Sequence, residues 1–385
     1  MEINKYKIGI VGAGQMGTGI AQIAATAGHR VVICDTSVAS IAKSNLILEK
    51  TFEMLVEKGK LGEKAAEQIK NKIDFAKHLH PLAECSIVIE AVNENIDLKK
   101  DIFEKIEDIV PQSTIIATNT SSFSIASLAG AMQNKDRFIG IHFFNPVPLM
   151  ALVEIIPTFL TDPIVTEKCF ELMKNWGKTC VLAKDTPGFI VNRVARPYYS
   201  EALRILDEGI ADMATIDWAM KTSGFKMGPF ELMDYIGNDV NYVVSETVWK
   251  ELYFEPRIKP SITQKRLFEA GAFGRKTLRG FYDYREGAEL PKPLIEKNIG
   301  ELIFQRIIAM LVNEAFDVEY LNIATRLDIE TAMVKGVNYP FGLFEWSEKV
   351  GLKNIVATLD TLYARYQEER YRVSIALRRE AGEKL

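Results

Sequence analysis

The sequence predicts an α/β domain built on a largely parallel sheet, followed by an all-α region made of two repeated helical units. In the first half, short apolar runs such as 7–11 and 31–34 alternate with stretches of helical periodicity, which is typical of βαβ units. From Pro187 to the end, apolar residues recur at helical spacing. Segments of this helical half also match one another at a nearly constant offset, which indicates a repeat.

Composition places the chain among ordinary globular proteins of two or three domains, with 385 residues and 48% hydrophobic residues. The net charge is −4 with both signs interspersed, so no nucleic-acid partner is expected. No apolar run reaches membrane-spanning length and the start lacks a signal-peptide pattern, so we expect a cytoplasmic protein without a membrane partner. The scattered cysteines argue against a metal centre or a disulfide framework and fit a reducing compartment. They are Cys34, Cys85, Cys169 and Cys180.

A glycine-rich turn, G-A-G-Q-M-G at residues 12–17, follows the first apolar run and precedes a helical pattern. Gly12 permits a tight turn, Gly14 lets the backbone approach a pyrophosphate, and Gly17 allows the helix to pack closely. The helix N-terminus then faces the phosphates. Strand, turn and helix in this order predict a Rossmann-type dinucleotide-binding domain.

The second apolar run ends at Asp35, whose carboxylate would accept the ribose hydroxyls of a dinucleotide. Thr36 and Ser37 follow it, where an NADP-binding site would place an arginine. A 2′-phosphate would therefore meet a carboxylate without a countercharge. The sequence favours NAD over NADP.

A charged helical pair is inserted at about residues 40–73. Lys50, Lys58 and Lys60 lie on it or just after it. They either receive a phosphorylated substrate tail or are simply solvated, as surface lysines usually are.

Polar residues follow two further predicted strands, 86–91 and 114–117. Glu94 either touches the nicotinamide side of the cofactor or places a negative charge near the start of the next helix. The run Thr118–Ser122 lies where open α/β sheets bind ligands, and its hydroxyls suit a substrate or a helix cap. A cap for the helix that starts near Ile125 needs only Ser124, so the other hydroxyls of this region are not required for it.

The stretch 141–156, I-H-F-F-N-P-V-P-L-M-A-L-V-E-I-I, places His142 at the end of one apolar run and Glu154 inside the next. An acid that orients an imidazole makes it a proton acceptor and donor suited to neutral pH. A packed core histidine and an edge-strand glutamate are the structural alternative.

The segment K-D-T-P-G-F at residues 184–189 ends the sheet pattern and is the predicted domain boundary. Asn192 and Arg193 follow near the start of the first long helix, where Asn192 can point towards the cleft and Arg193 is a structural pairing residue. We predict domains at residues 1–184, 185–288 and 289–385.

The two helical units match in sequence. Asn192-Arg193 and Glu201-Ala202 correspond to Gln305-Arg306 and Glu314-Ala315 at one offset. Because the second unit has Gln305 where the first has Asn192, we expect it to contribute to the fold and not to the chemistry.

Six segments carry a resemblance to a known family. They are G-A-G-Q-M-G-T-G-I-A, E-A-V-N-E-N, T-N-T-S-S, the stretch 141–156, K-D-T-P-G-F-I-V-N-R and M-G-P-F-E-L-M-D-Y-I-G. In this order they resemble the NAD-dependent 3-hydroxyacyl-CoA dehydrogenases, which oxidise L-3-hydroxyacyl thioesters to 3-ketoacyl thioesters. The resemblance covers nearly the whole chain.

The resemblance implies that His142 is the general acid/base, with Glu154 as its partner, and that no metal is required. Ser121 and Asn192 would contact the substrate oxygen. The implied NAD contacts are Gly12, Gly14, Gln15, Met16, Gly17, Asp35, Glu94, Lys99 and Asn119, and the implied substrate contacts are Ser121, Asn145, Asn192, Lys50 and Lys58.

Family members with two helical units look like bacterial enzymes that act on short-chain acyl or 3-hydroxyadipyl thioesters. Shorter members pair as dimers through one helical unit, so this chain is expected to be a monomer with an internal pseudo-dimer or a homodimer. A dehydrogenase of a free hydroxy acid or sugar acid is the alternative on the same scaffold. A non-catalytic NAD-binding protein is disfavoured because His142 and Glu154 are both present.

Overall fold

The computed structural model describes residues 6–383, and within them the chain divides into two units after Asp185. The first unit holds one sheet with strands β1 (Lys7–Val11), β2 (Arg30–Cys34), β3 (Ile73–Ala76), β4 (Ile87–Glu90), β5 (Ile115–Thr118), β6 (Phe138–Phe143), β7 (Leu152–Pro157) and β8 (Thr179–Leu182). Its helices are α1 (Gln15–Thr26), α2 (Val38–Glu57), α3 (Glu63–Lys70), α4 (Ile96–Ile109), α5 (Ile125–Ala129) and α6 (Pro163–Asn175).

The strands lie in the order β3-β2-β1-β4-β5-β6-β7-β8, and neighbours are parallel except for the antiparallel pair β6 and β7. Strands β4, β5 and β6 are buried along their whole length, as expected for a sheet covered on both faces. The chain leaves β1 for β2 on one side and reaches β4 on the other. That change of direction is where open α/β sheets bind ligands.

The sequence predicted a Rossmann-like domain followed by a helical region, and this fold class is confirmed. The inserted helical pair is α2 and α3, which are separated by a turn containing Gly59 with φ +64°. Two strands were not predicted, β3 and β8. Each has four residues, too few for their pattern to stand out from the adjoining segments.

The second unit is helical: α7 (Val191–Val194), α8 (Arg196–Asp207), α9 (Met213–Thr222), α10 (Pro229–Ile236), α11 (Asn238–Glu251), α12 (Ile262–Glu269), α13 (Lys297–Tyr320), α14 (Arg326–Gly336), α15 (Leu343–Val350), α16 (Leu352–Tyr366) and α17 (Ile375–Glu380). Asn192 lies on the short helix α7 and not on the long helix that follows. Pro197 explains the break before α8, because it has no N–H to donate to the carbonyl four residues earlier. Across the described residues, no helix is long and apolar enough to cross a membrane.

Two buried ion pairs in this unit are reciprocal. Arg193 Nε lies 2.7 Å from Glu314 Oε1, and Arg306 Nε lies 2.5 Å from Glu201 Oε1. The offset that relates Arg193 to Arg306 also relates Glu201 to Glu314. Each predicted helical unit therefore supplies an arginine to a glutamate of the other.

Candidate active site

The centre of the candidate site is a histidine–glutamate pair on two antiparallel strands. His142 on β6 stands opposite Glu154 on β7 in register, and side chains of such a pair lie on the same face of the sheet. His142 Nδ1 lies 2.6 Å from Glu154 Oε2, and both side chains are buried. A carboxylate only accepts, so Nδ1 is the donor, which fixes the orientation and tautomer of the ring. Because β7 lies between β6 and β8, Glu154 is not on an edge strand, and that part of the structural alternative is wrong.

The loop after β5 is tied to the strand that carries His142. Asn119 Oδ1 accepts a hydrogen bond from Phe143 N at 2.8 Å, and Asn119 N donates to Glu90 O at 2.9 Å. The Asn119 side chain thus connects the carboxyl ends of β5 and β6. It ties the start of the polar run 118–122 to Phe143, the residue after His142.

Glu94 binds this polar run, and it also lies two residues before the start of α4. Its Oε1 accepts hydrogen bonds from Thr120 Oγ1, from Ser121 N at 3.2 Å and from Ser122 Oγ at 2.9 Å. Burial alone would raise the pKa of Glu94, but Lys99 and these hydroxyls hold that pKa below its usual range. Asn95 caps α4, accepting from Leu98 N at 2.9 Å.

Glu90 is a buried carboxylate that the sequence reading missed. Lys99 Nζ lies 2.6 Å from Glu90 Oε1 and 3.2 Å from Glu94 Oε2. Thr118 Oγ1 donates to Glu90 Oε2 at 2.7 Å. Lys99 therefore joins the end of β4 to the loop that carries Ser121. Its place at the end of the apolar run S-I-V-I-E could have identified Glu90 as a functional candidate. An acid in a buried strand needs a partner.

The loop between β6 and β7 is held by a second missed residue, Lys178. Its Nζ donates to Val147 O at 2.5 Å and to Met150 O at 2.7 Å. Burial lowers the pKa of Lys178 to about 8. Asn145 lies at the start of this loop with an exposed side chain. Lys178 lies just before β8, far in sequence from the loop that it holds. No local sequence pattern therefore predicts its contact with the loop that follows the His142 strand.

The glycine turn has the shape that a pyrophosphate requires. A Cβ on Gly12, which has φ +112°, would lie 2.6 Å from Ala91 O, and one on Gly17 would lie 1.9 Å from Gly12 O. At Gly14 a Cβ would meet nothing within 4 Å, so the backbone there is open to a ligand. Gln15 and Met16 form the first turn of α1, whose N–H groups face the same space.

A cavity of about 460 Å³ adjoins this turn and reaches Asp35, Ser40, Leu79 and Leu98. Asp35 accepts hydrogen bonds from Ala13 N and Ser37 N, both at 2.8 Å. The carboxylate is thereby fixed at the end of β2, where dinucleotide-binding folds of this type carry an acid for the ribose. The glycine backbone, the helix N-terminus and this acid fit a bound dinucleotide.

Three further predicted contacts lie on α2 and α7. Lys50 lies on α2 and Lys58 at its C-terminal end, and both are exposed. Asn192 lies on α7 in the second unit and is half-buried. No cluster of three potential metal ligands occurs among residues 6–383.

The chain matches two models of one family. The NAD-binding domain of 3-hydroxyacyl-CoA dehydrogenase matches residues 7–186, and the C-terminal domain of 3-hydroxyacyl-CoA dehydrogenase matches residues 188–284 and 302–384. Together they cover most of the chain.

Similar proteins carry names from the same family. The 3-hydroxyadipyl-CoA dehydrogenase of Escherichia coli K12 is 33% identical, with 99% of this chain and 98% of that protein covered. The mitochondrial hydroxyacyl-coenzyme A dehydrogenase of Sus scrofa is 41% identical over 72% of this chain and 90% of its own length. A crystal structure of 3-hydroxybutyryl-CoA dehydrogenase from E. coli K12 superposes with a TM-score of 0.92 and 32% identity, covering 98% of both chains. The chain belongs to the family of NAD-dependent 3-hydroxyacyl-CoA dehydrogenases.

Proposed function

We propose that this chain interconverts L-3-hydroxyacyl-CoA and 3-ketoacyl-CoA, with His142 as general acid/base. The buried contact between His142 and Glu154 carries the proposal, because secondary-alcohol oxidation needs a group that takes the hydroxyl proton. A bound NAD would supply the acceptor for the hydride that leaves the substrate carbon. In the reverse direction the protonated histidine returns the proton to the carbonyl oxygen.

In this mechanism Nε2 of His142 exchanges the proton, since Nδ1 is turned to Glu154. The carboxylate stabilises the imidazolium that forms and keeps the ring in one orientation. Ser121 and Asn192 donate hydrogen bonds to the substrate oxygen as negative charge develops on it. Glu94 supports this by holding the loop that carries Ser121.

We propose a short-chain or dicarboxylic acyl-CoA as the substrate. Relatives named for 3-hydroxyadipyl-CoA and 3-hydroxybutyryl-CoA support this choice. Lys50 and Lys58 are proposed to receive the CoA phosphates, because both are exposed cations on the inserted helical pair. Charge neutralisation at either lysine should then raise the KM for acyl-CoA and leave that for NADH unchanged.

The helical region is proposed to be an internal pseudo-dimer, within the domain division 1–184, 185–288 and 289–385. The reciprocal ion pairs and the two segments matched by the C-terminal family model support the repeat. Under this proposal the second helical unit, residues 289–385, occupies the surface through which shorter family members pair. The chain is then a monomer. Sedimentation that gives a tight dimer joined through both helical units would contradict it.

A reducing cellular compartment, such as the cytoplasm, is also proposed. The four cysteines are buried thiols, and burial raises the pKa of each to about 12. Thiols that are neutral and covered do not form disulfides readily.

The decisive assay follows NADH oxidation at neutral pH with acetoacetyl-CoA, and in parallel with free acetoacetate. We expect turnover of the thioester only. Turnover of the free acid without the thioester would favour a hydroxy-acid dehydrogenase. No turnover of either, with NADH still bound, would favour a non-catalytic protein.

A further inference from the structure

Arg196, the first residue of α8, is a buried arginine without a carboxylate partner. Its side chain is 6% exposed, and it forms no ion pair with any carboxylate of residues 6–383. Its Nη1 donates to Ser245 Oγ at 3.0 Å and to Asn241 O at 3.5 Å. Its Nη2 donates to Asn192 Oδ1 at 3.4 Å, and Nε has no hydrogen-bond partner. A buried charge left in this state is costly, so the position needs an explanation.

Other buried arginines of the same unit are compensated. Arg193 and Arg257 pair with Glu314, and Arg306 and Arg370 pair with Glu201. Arg196 differs from all four, because its neighbours are one side-chain amide, one backbone carbonyl, one hydroxyl and the ring of Tyr199. The centre of that ring lies 5.0 Å from the guanidinium carbon. Its positive charge is therefore not neutralised by the surrounding fold.

The second helical segment provides an internal comparison. The offset that relates Arg193 to Arg306 relates Arg196 to Ala309, which is buried at 1% exposure. The same offset relates Asn192 to Gln305. The second segment thus has a small, buried apolar residue at this position. Arginine is present only in the segment that has the asparagine.

We propose that Arg196 is a positioning residue that orients the carboxamide of Asn192 for the substrate oxygen. The inference rests on the proposed function, in which Asn192 contacts that oxygen. Because Arg196 binds the Oδ1 end of the amide, the Nδ2 end, which is the donor, is directed the opposite way. The uncompensated charge also polarises the amide and strengthens Nδ2 as a donor when negative charge develops on the substrate.

A double-mutant cycle tests whether Arg196 acts through Asn192. The proteins are the wild type, Arg196→Ala, Asn192→Ala and the double variant, assayed with NADH and acetoacetyl-CoA. We expect Arg196→Ala to lower kcat about tenfold, the effect of losing a charge-assisted hydrogen bond, with the KM for NADH unchanged. Asn192→Ala should lower kcat about 100-fold, as removal of one oxyanion donor does. The double variant should match Asn192→Ala alone.

Controls separate this role from general packing. Arg204→Ala changes another arginine of α8, one that pairs with Glu208 and Glu368, and should leave kcat unchanged. Arg196→Lys keeps the charge and one donor and should fall between wild type and Arg196→Ala, in case the alanine variant does not fold. Wild-type kcat in Arg196→Ala, or additive losses in the double variant, would overturn the proposal. A wild-type protein that does not oxidise NADH would instead overturn the proposed function.

Discussion

Nδ1 of His142 lies 2.6 Å from Oε2 of Glu154, and the two residues are cross-strand partners on β6 and β7. Their position in register means that the backbone of the sheet, and not a flexible loop, sets the distance. A contact of this kind orients the imidazole and stabilises its protonated form.

Glu154→Gln should therefore keep the fold and lose most of the activity. Glutamine has nearly the same shape but no charge to stabilise the imidazolium. We expect kcat to fall about 10²- to 10⁴-fold, the usual contribution of general acid–base catalysis, with NADH affinity unchanged. Steady-state kinetics with acetoacetyl-CoA measure this, and Glu167→Gln, an exposed position on α6, is the control. Equal losses in both variants would argue against a specific role for Glu154.

Asp35→Asn should weaken NADH binding and relax the preference against NADPH. The carboxylate accepts from Ala13 N and Ser37 N, so an amide would turn its NH₂ group towards one of these donors. Loss of the charge also removes the repulsion of a 2′-phosphate. We expect the KM for NADH to rise about tenfold or more, and the NADH/NADPH ratio of kcat/KM to fall. An unchanged ratio would show that Asp35 does not set the choice of cofactor.

Glu94→Gln should lower kcat and change the pH dependence of stability. The pKa of Glu94 lies below its ordinary value of 4.5, so the ionised form stabilises the folded state above that pH and this contribution is lost as the pH falls. The melting temperature of the variant should thus lie below that of the wild type at pH 7, and the gap should narrow below pH 4.5. A gap that stays constant with pH would contradict this account of Glu94.

Asp217 in the second unit should give stability the opposite pH dependence to that of Glu94. Burial raises its pKa from 3.8 to about 7, although it accepts from Phe230 N, Glu231 N and Tyr282 Oη. A raised pKa means that its contribution is largest below pH 3.8 and is lost as the pH rises through about 7. Asp217→Asn should therefore destabilise the protein more at pH 5 than at pH 8 when unfolded with urea. The same loss at both values would contradict the raised pKa.

The sequence predicted the fold class, the glycine turn and the histidine–glutamate stretch because each is a local pattern. Gly12, Gly14 and Gly17 lie within one turn, and His142 and Glu154 lie on consecutive strands. The structure adds that Glu154 is on an inner strand and that the two residues are in register, which a reading of apolar runs does not establish.

Contacts between distant segments were not predictable in this way. Glu90 and Lys178 act through partners on other elements, and nothing in their own neighbourhoods identifies those partners. Asp185 is a further example, since its carboxylate accepts from Ile125 N at 2.8 Å and Ala126 N at 2.7 Å at the start of α5. Long-range pairing of this kind depends on topology, which local periodicity does not encode.

The most direct test of the proposed mechanism replaces His142 with glutamine, which retains hydrogen-bonding groups but does not exchange a proton at neutral pH. NADH oxidation with acetoacetyl-CoA is measured for the wild type and His142→Gln, and NADH binding is measured separately by fluorescence. The mechanism predicts that the variant binds NADH as the wild type does and loses at least about 10²-fold in kcat. Turnover at the wild-type rate in His142→Gln would contradict it.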